Sequence, residues 1–165
     1  MIYNPRLTAP VSPDINYFTN KNIYVASGYP LPNCTTYVQG RWLELGIDPN
    51  SLSTGDGKSY YAHSDTYVRT SVPTVGAVMC FDGIETQTAG HVAIVEIVHD
   101  DNTITISQSD FYGDLFSTAR ITKNSNIYGL PFQGYIKNPN DYNNVPTIQK
   151  KSKFNFILFK RKNGR

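Results

Sequence analysis

At 165 residues, with 39% apolar and 17% charged residues, the chain has the length and balance of one globular domain with a proper core, and is too short for two. Its net charge of +2 divides unevenly: residues 1–148 hold 13 acidic and 8 basic residues, a net −5, while the last 17 residues hold seven basic residues and no acid. Two cysteines are too few for a disulfide-stapled scaffold or a structural zinc site, and no apolar run approaches the roughly 18 residues of a membrane span.

The opening stretch, "MIYNPRLTAPVSPDI", has no basic region followed by an apolar one, so no secretory signal is expected and work outside a cell would need another route of delivery. Residues 1–32 are rich in Pro, Asn and Tyr without a sustained period and read as an ordered lead-in. From Asn33 the pattern becomes helical. Asn33 is a good N-cap; Tyr37, Val38, Arg41, Trp42 and Leu45 recur at helical spacing, and Gly46 closes the helix. Gly40, inside it, costs about 1 kcal/mol relative to Ala and implies another element packed close by. Trp42 reads as helix packing rather than a sugar platform. Residues 48–72 are polar and loop-like, with one short helix expected around "SYYAHSDTYV".

The period then shortens to that of strands in "VGAVMCF" (75–81), "HVAIVEIV" (91–98), "TITISQSD" (103–110) and "FQGYIK" (132–137). One helix followed by several antiparallel strands predicts an α+β fold. Cys80, between Met79 and Phe81, reads as core. "NPNDYNN" (138–144) reads as a linker, and the apolar "FNFILF" (154–159) among lysines as a strand or docking segment outside the domain. The expected organisation is a lead-in over 1–26, a catalytic domain over 27–137, and a linker with a basic, partly apolar tail over 138–165.

The turn "HDDN" joins the second and third strands and sets a register in which Ile97 pairs with Ile104, Val95 with Ile106, Ala93 with Gln108 and His91 with Asp110. Asp100 and Asp101 are then turn residues, and His63 and His99 surface loop residues. Alternation puts those paired side chains on one face, apolar near the turn and polar at the far end. An imidazole there lies about 5 Å, Cβ to Cβ, from the Asp110 carboxylate, with the Gln108 amide diagonal to it. A slip of two residues would put Gln108 opposite instead. Either neighbour can accept from one ring nitrogen, fix the tautomer and leave the other nitrogen free. In this register Asp110 is the stronger orienter.

Cys34, at the helix start, could be packing, a disulfide half, a ligand or a nucleophile. The helix macrodipole favours its thiolate, and an imidazole in reach makes an ion pair with a polar third residue to orient the base. Cysteine on a helix, then histidine on a sheet, then an amide or carboxylate, in that chain order, is the papain-like arrangement.

"NCTTYVQGRW", "VPTVGAVMCFDG", "GHVAIVEIV" and "ISQSD" resemble, in order and spacing, the signature blocks of CHAP domains, the cysteine- and histidine-dependent amidohydrolases and peptidases of bacteria and their phages. The resemblance covers about residues 27–137. It implies a papain-like α+β fold, with an N-terminal helix carrying the nucleophile packed on an antiparallel sheet. It further implies Cys34 as nucleophile, His91 as general base, and peptidoglycan as substrate, cut at the muramoyl–L-alanine amide or within the stem peptide and cross-bridge. Many relatives have Glu and then Asn after the histidine, and the matching positions here are Gln108 and Asp110. Some phage relatives carry an acidic calcium-binding run before the cysteine, whereas "NIYVASGYPLPN" has no acid.

The resulting expectation is a peptidoglycan hydrolase of the phage lysin type, made in the host cytoplasm and reaching the wall through a holin or as part of a virion. Two other readings are a phage tail structural or assembly protein that uses the domain for docking, and an ordinary papain-like protease. No cofactor and no metal are expected, because no Cys-x-x-Cys, His-Glu-x-x-His, EF-hand or phosphate-loop spacing occurs. Residues 149–165 are the expected contact to phage tail proteins or an anionic surface. No nucleic-acid partner is expected, since basic residues are not interleaved with stacking motifs.

Overall fold

Asn33 starts the main helix as its residue type prescribes: its side-chain oxygen accepts from the backbone N–H groups of Thr35 (2.9 Å) and Thr36 (3.3 Å), two of the donors a helix start leaves open. The structure, a computed structural model, describes residues 2–110, 113–140 and 142. Two one-turn helices, α1 (Ile15–Phe18) and α2 (Ile23–Ala26), precede the main helix α3 (Cys34–Glu44). Short 3₁₀ turns follow at Pro49–Ser51 and Gly57–Ser59, then six strands: β1 (Arg69–Thr70), β2 (Val78–Phe81), β3 (His91–Val98), β4 (Thr103–Gln108), β5 (Ser117–Thr122) and β6 (Phe132–Ile136). They form one antiparallel sheet in the order β1-β6-β2-β3-β4-β5, so the α+β expectation holds. No helix among the described residues is long and apolar enough to cross a membrane.

Helix α3 lies over one face of this sheet. Tyr37, Val38 and Trp42 pack with Val78, Cys80, Val92, Ile94 and Ile136, and the indole N–H donates to the Gly76 carbonyl at 3.0 Å. Trp42 and Cys80 are therefore core, as expected. Gly40 is the point of closest approach: a Cβ there would sit 2.4 Å from the Tyr17 ring of α1. The other face of the sheet holds a second apolar layer of Met79, Phe81, Ala93, Val95, Ile104, Ile106 and Tyr135, roofed by Ile127 and Leu130.

Several details differ from the sequence expectations. No helix forms around residues 59–68; that stretch is turns, held where Arg69 donates to the carbonyls of Tyr60, Tyr61 and His63 and to the Asp65 carboxylate. Strand β5 is not apparent from the sequence, because its inward face at the sheet edge is only half-buried and carries Ser117, Ala119 and Ile121, a weak apolar alternation. In the β3–β4 hairpin the expected register holds at Val95–Ile106, but a bulge at Glu96 shifts it by one, so Ile97 faces Thr105 and Val98 faces Ile104. Val98, not Ile97, then joins the apolar layer of Ile104. His99 also gains a partner, the Thr105 hydroxyl at 2.9 Å from Nε2.

The bulged Glu96 is fully buried beside α3. Its carboxylate accepts from Arg41 Nε (3.1 Å) and Nη2 (3.0 Å), from Ser107 Oγ (2.7 Å), from the Tyr3 phenol (2.6 Å) and from the Arg6 backbone N–H (2.9 Å). Tyr37 donates to Ser107 at 2.7 Å, closing the network between α3, β3 and β4. The lead-in is thus part of the body: Arg6 also pairs with Glu44, and Tyr17 donates to Glu44 at 2.7 Å. Burial would raise the Glu44 pKa, but the Arg6 and Tyr17 hydrogen bonds outweigh it and hold it at about 2. At the other end, Asn138, Asn140 and Tyr142, placed by composition in a linker, pack on the body; Tyr142 meets Tyr3 edge-on with ring centres 5.2 Å apart. Residues 149–165, including "FNFILF", lie outside the described residues.

Removing one member of a buried ion pair leaves the other charge unpaired, which costs about 3–5 kcal/mol. Glu96→Ala should therefore lose that much stability in urea unfolding. A loss below about 1 kcal/mol would show that Arg41 finds other partners.

Candidate active site

Cys34 is the first residue of α3, 9% exposed, with Asn33 occupied in capping the next two residues. The Asn33 backbone N–H donates to Ser109 Oγ at 3.1 Å, which ties the helix start to the segment leaving β4. His91 is the first residue of β3 and pairs with Phe81 of β2. Its approach is fixed by its neighbours: the Gln87 side chain accepts from the Gly90 N–H and donates to the Gly90 carbonyl, both at 2.8 Å. Gly90 has φ +67°, and a Cβ there would lie 2.5 Å from the Phe81 carbonyl oxygen, so the position admits only glycine. The 3₁₀ turn at Gly57–Ser59 closes on the same point through the Lys58 N–H to the Ala89 carbonyl, 2.9 Å.

Gln108 makes the direct contact with the His91 ring. Its Oε1 is 2.9 Å from His91 Nε2, while Asp110 Oδ1 is 3.9 Å from the same nitrogen, beyond hydrogen-bond reach. The expected pairing of His91 with Asp110 does not form, because the β3–β4 ladder ends at Ile94–Ser107 and the chain turns aside at Ser109. There Asp110 enters a loop in which its N–H donates to the Asp114 carbonyl at 3.0 Å. The diagonal amide reaches the ring instead, without any slip in register.

The electrostatics differ from the expected ion pair. Burial pushes the Cys34 thiol up to about 11, against the pull of backbone hydrogen bonds from Val92 and Thr35. Burial also lowers the His91 pKa below its ordinary value, against the hydrogen bond to Gln108 and the charge of Asp110. Both shifts run toward the neutral forms, thiol and imidazole. With Nε2 engaged by Gln108, the remaining ring nitrogen is the one free to take a proton.

Cys34, His91 and Asp110 open on one cavity of about 740 Å³, walled also by Tyr24, Tyr29, Asp56 and Tyr128. None of these four is among the site residues expected from the sequence. Only Tyr128 carried a signal, an aromatic before a glycine between two apolar residues. No group of three His, Cys, Asp or Glu side chains among the described residues is placed to hold a metal ion.

A family model for the CHAP domain matches residues 24–110, just over half of the chain and inclusive of Cys34, His91, Gln108 and Asp110. The chain belongs to the CHAP domain family. Among solved structures, an N-acetylmuramoyl-L-alanine amidase from Staphylococcus aureus is 31% identical, with a TM-score of 0.50 over 58% of this chain and 28% of its own. The protein called Ly7917 is 19% identical, with a TM-score of 0.51 over 66% of this chain and 54% of its own, and shares the fold. This CHAP domain thus spans about half of one such chain and about a quarter of the other. No curated protein sequence matches.

An imidazole with a lowered pKa stays neutral into acid, so with His91 in the general-base role the resemblance implies, the acid limb of kcat/KM should fall below pH 6.5, the ordinary value for histidine. The Gln108 hydrogen bond and the Asp110 charge both raise the His91 pKa, so losing either moves the limb further down. Gln108→Ala should lower kcat/KM about 10- to 100-fold and Asp110→Asn less than tenfold, read from rate against pH for each variant. The reverse order would make the carboxylate the orienter.

Proposed function

We propose that this CHAP domain hydrolyses amide bonds in bacterial peptidoglycan, with Cys34 as nucleophile and His91 as general base. The observation that carries the reading is the cysteine at a capped helix start opening on the same cavity as a histidine whose far nitrogen is held by Gln108. The likeness to the staphylococcal amidase supports the choice of substrate, and the two alternatives are the muramoyl–L-alanine amide and a bond within the stem peptide or cross-bridge. The phage-lysin setting implied by the sequence belongs to the same proposal.

From the neutral forms, the thiol proton passes to the free nitrogen of His91 as sulfur attacks the carbonyl carbon. Charge then develops on the substrate oxygen, where the backbone N–H of Cys34 at the positive end of α3 can stabilise it. The imidazolium, steadied by Gln108 and the nearby Asp110 carboxylate, returns its proton to the leaving amine as the C–N bond breaks. The acyl thioester is cleared by water, deprotonated by the same histidine, with sulfur as the leaving group.

Cys34→Ser should abolish release of soluble wall fragments, to below a few per cent of the parent rate, with an unchanged melting temperature. Cys80→Ala should keep activity and lose at most a few kcal/mol of stability. Mass spectrometry of the released fragments identifies the bond cut, and an absence of wall fragments beside casein turnover would sink the peptidoglycan reading. Deleting residues 149–165 should leave hydrolysis of solubilised fragments unchanged and weaken binding to whole walls, a binding that salt should also weaken.

A further inference from the structure

Gln108 presents a problem that a carboxylate would not. Its two ends differ, and turned over it would offer N–H groups to His91 Nε2, favouring the tautomer with the proton on the wrong nitrogen. The structure shows Gln108 Nε2 donating to the Tyr128 hydroxyl at 2.6 Å and to Ser117 Oγ at 3.3 Å, which turns Oε1 to His91 at 2.9 Å. Burial first, and then the charges of Asp110 and Asp114, raise the Tyr128 pKa against the pull of the Gln108 hydrogen bond, so the phenol stays protonated and its oxygen shares one short contact with the amide N–H.

The backbone supports a special role for this tyrosine. Tyr128 and Gly129 have φ +52° and +79° between the bridged pair Ile127 and Leu130, a two-residue turn that favours Asn-Gly. A tyrosine is disfavoured at such a φ, and here it is also 64% exposed on the cavity wall, with its ring centre 6.3 Å from that of His91. The turn thus keeps an aromatic residue against local preference. Such positions cluster where the surrounding structure uses them.

We propose that Tyr128 is a positioning residue, which holds the Gln108 amide with its oxygen toward His91 Nε2 and so keeps the proton-accepting nitrogen of His91 available to Cys34. The proposal rests on the catalytic reading above and concerns only how its base is set. Removing the phenol oxygen lets both amide orientations populate, and only one of them supports the reaction.

The test uses the full chain and two readouts. Tyr128→Phe should lower kcat about three- to tenfold on solubilised wall fragments with KM within twofold, and move the acid limb to lower pH as the Gln108 hydrogen bond is lost. Nitrogen-15 NMR of the labelled histidines should show the His91 proton on Nε2 in the parent and shared between both nitrogens in the variant. In a Gln108→Glu background, where a carboxylate cannot be turned over, Tyr128→Phe should change neither kcat nor the His91 spectrum by more than twofold. Tyr128→Asn, a residue the turn accepts, guards against misfolding and should show the same spectral change without a fall in melting temperature. An unchanged tautomer in both variants overturns the proposal, and so does an equal kcat loss in the Gln108→Glu background, which would make the phenol a substrate contact. The NMR result stands even if the substrate is not peptidoglycan, so failure of the two readings can be told apart.

Discussion

The buried pair of Arg41 and Glu96 fixes the helix that starts at Cys34 against the strand that starts at His91. Arg41 lies seven residues, about two turns, along the helix that begins at Cys34, and Glu96 five residues along the strand that begins at His91. A shift between helix and strand would pull apart two charges with no water to replace the contact. Such a pair adds little net stability over a well-packed apolar substitute, but it penalises every other arrangement. The bulge in β3 coincides with this contact, at the one place where the strand gives up its regular ladder. Ser107 and Tyr37 extend the tie to β4, one residue before Gln108.

The elements closest to the chemistry were the most legible. Asn33 before an apolar-periodic run and the β-rich run from His91 are local signals, and both elements formed where expected, whereas the turn between β3 and β4 closes one residue tighter, at His99 and Thr103. Gly40 announced a close neighbour, although nothing in the chain named Tyr17 as that neighbour. The lead-in was unreadable for a different reason: its buried tyrosines have no period, because they pack through contacts with Glu44, Glu96 and Ser53 far along the chain. The third member of the site was half visible. Pairing arithmetic brought Gln108 and Asp110 to His91, but which one touches it depends on where β4 ends, and a strand end is a tertiary outcome. The charge state of Cys34 was not legible at all, since a helix dipole can be read from a sequence and a burial depth cannot.

Burial that favours neutral forms of Cys34 and His91 goes with an amide set against the ring. A thiolate–imidazolium pair carries its own attraction to hold the ring in place, whereas a neutral imidazole has only its hydrogen bonds. In this chain the ring is held by Gln108 on one side, by the clasp of Gln87 on Gly90 beneath it, and by Phe81 and Tyr128 around it. Preorganisation by neutral contacts avoids reorganising a hydration shell when charge appears during the reaction.

The strap formed by Tyr3, Arg6 and Tyr17 bears on how such a domain can be moved between proteins. The family match begins at residue 24 and stops at Asp110, yet the strap lies before it, and β5, β6 and Tyr142 lie after it. A recombination cut at those borders would carry over Cys34 and His91 but strand Glu96 without its tyrosine and β2 and β4 each without a neighbouring strand. The unit that can be exchanged intact, in evolution or in a chimaera, is therefore wider than the stretch that family resemblance picks out, and includes at least Tyr3 to Tyr142.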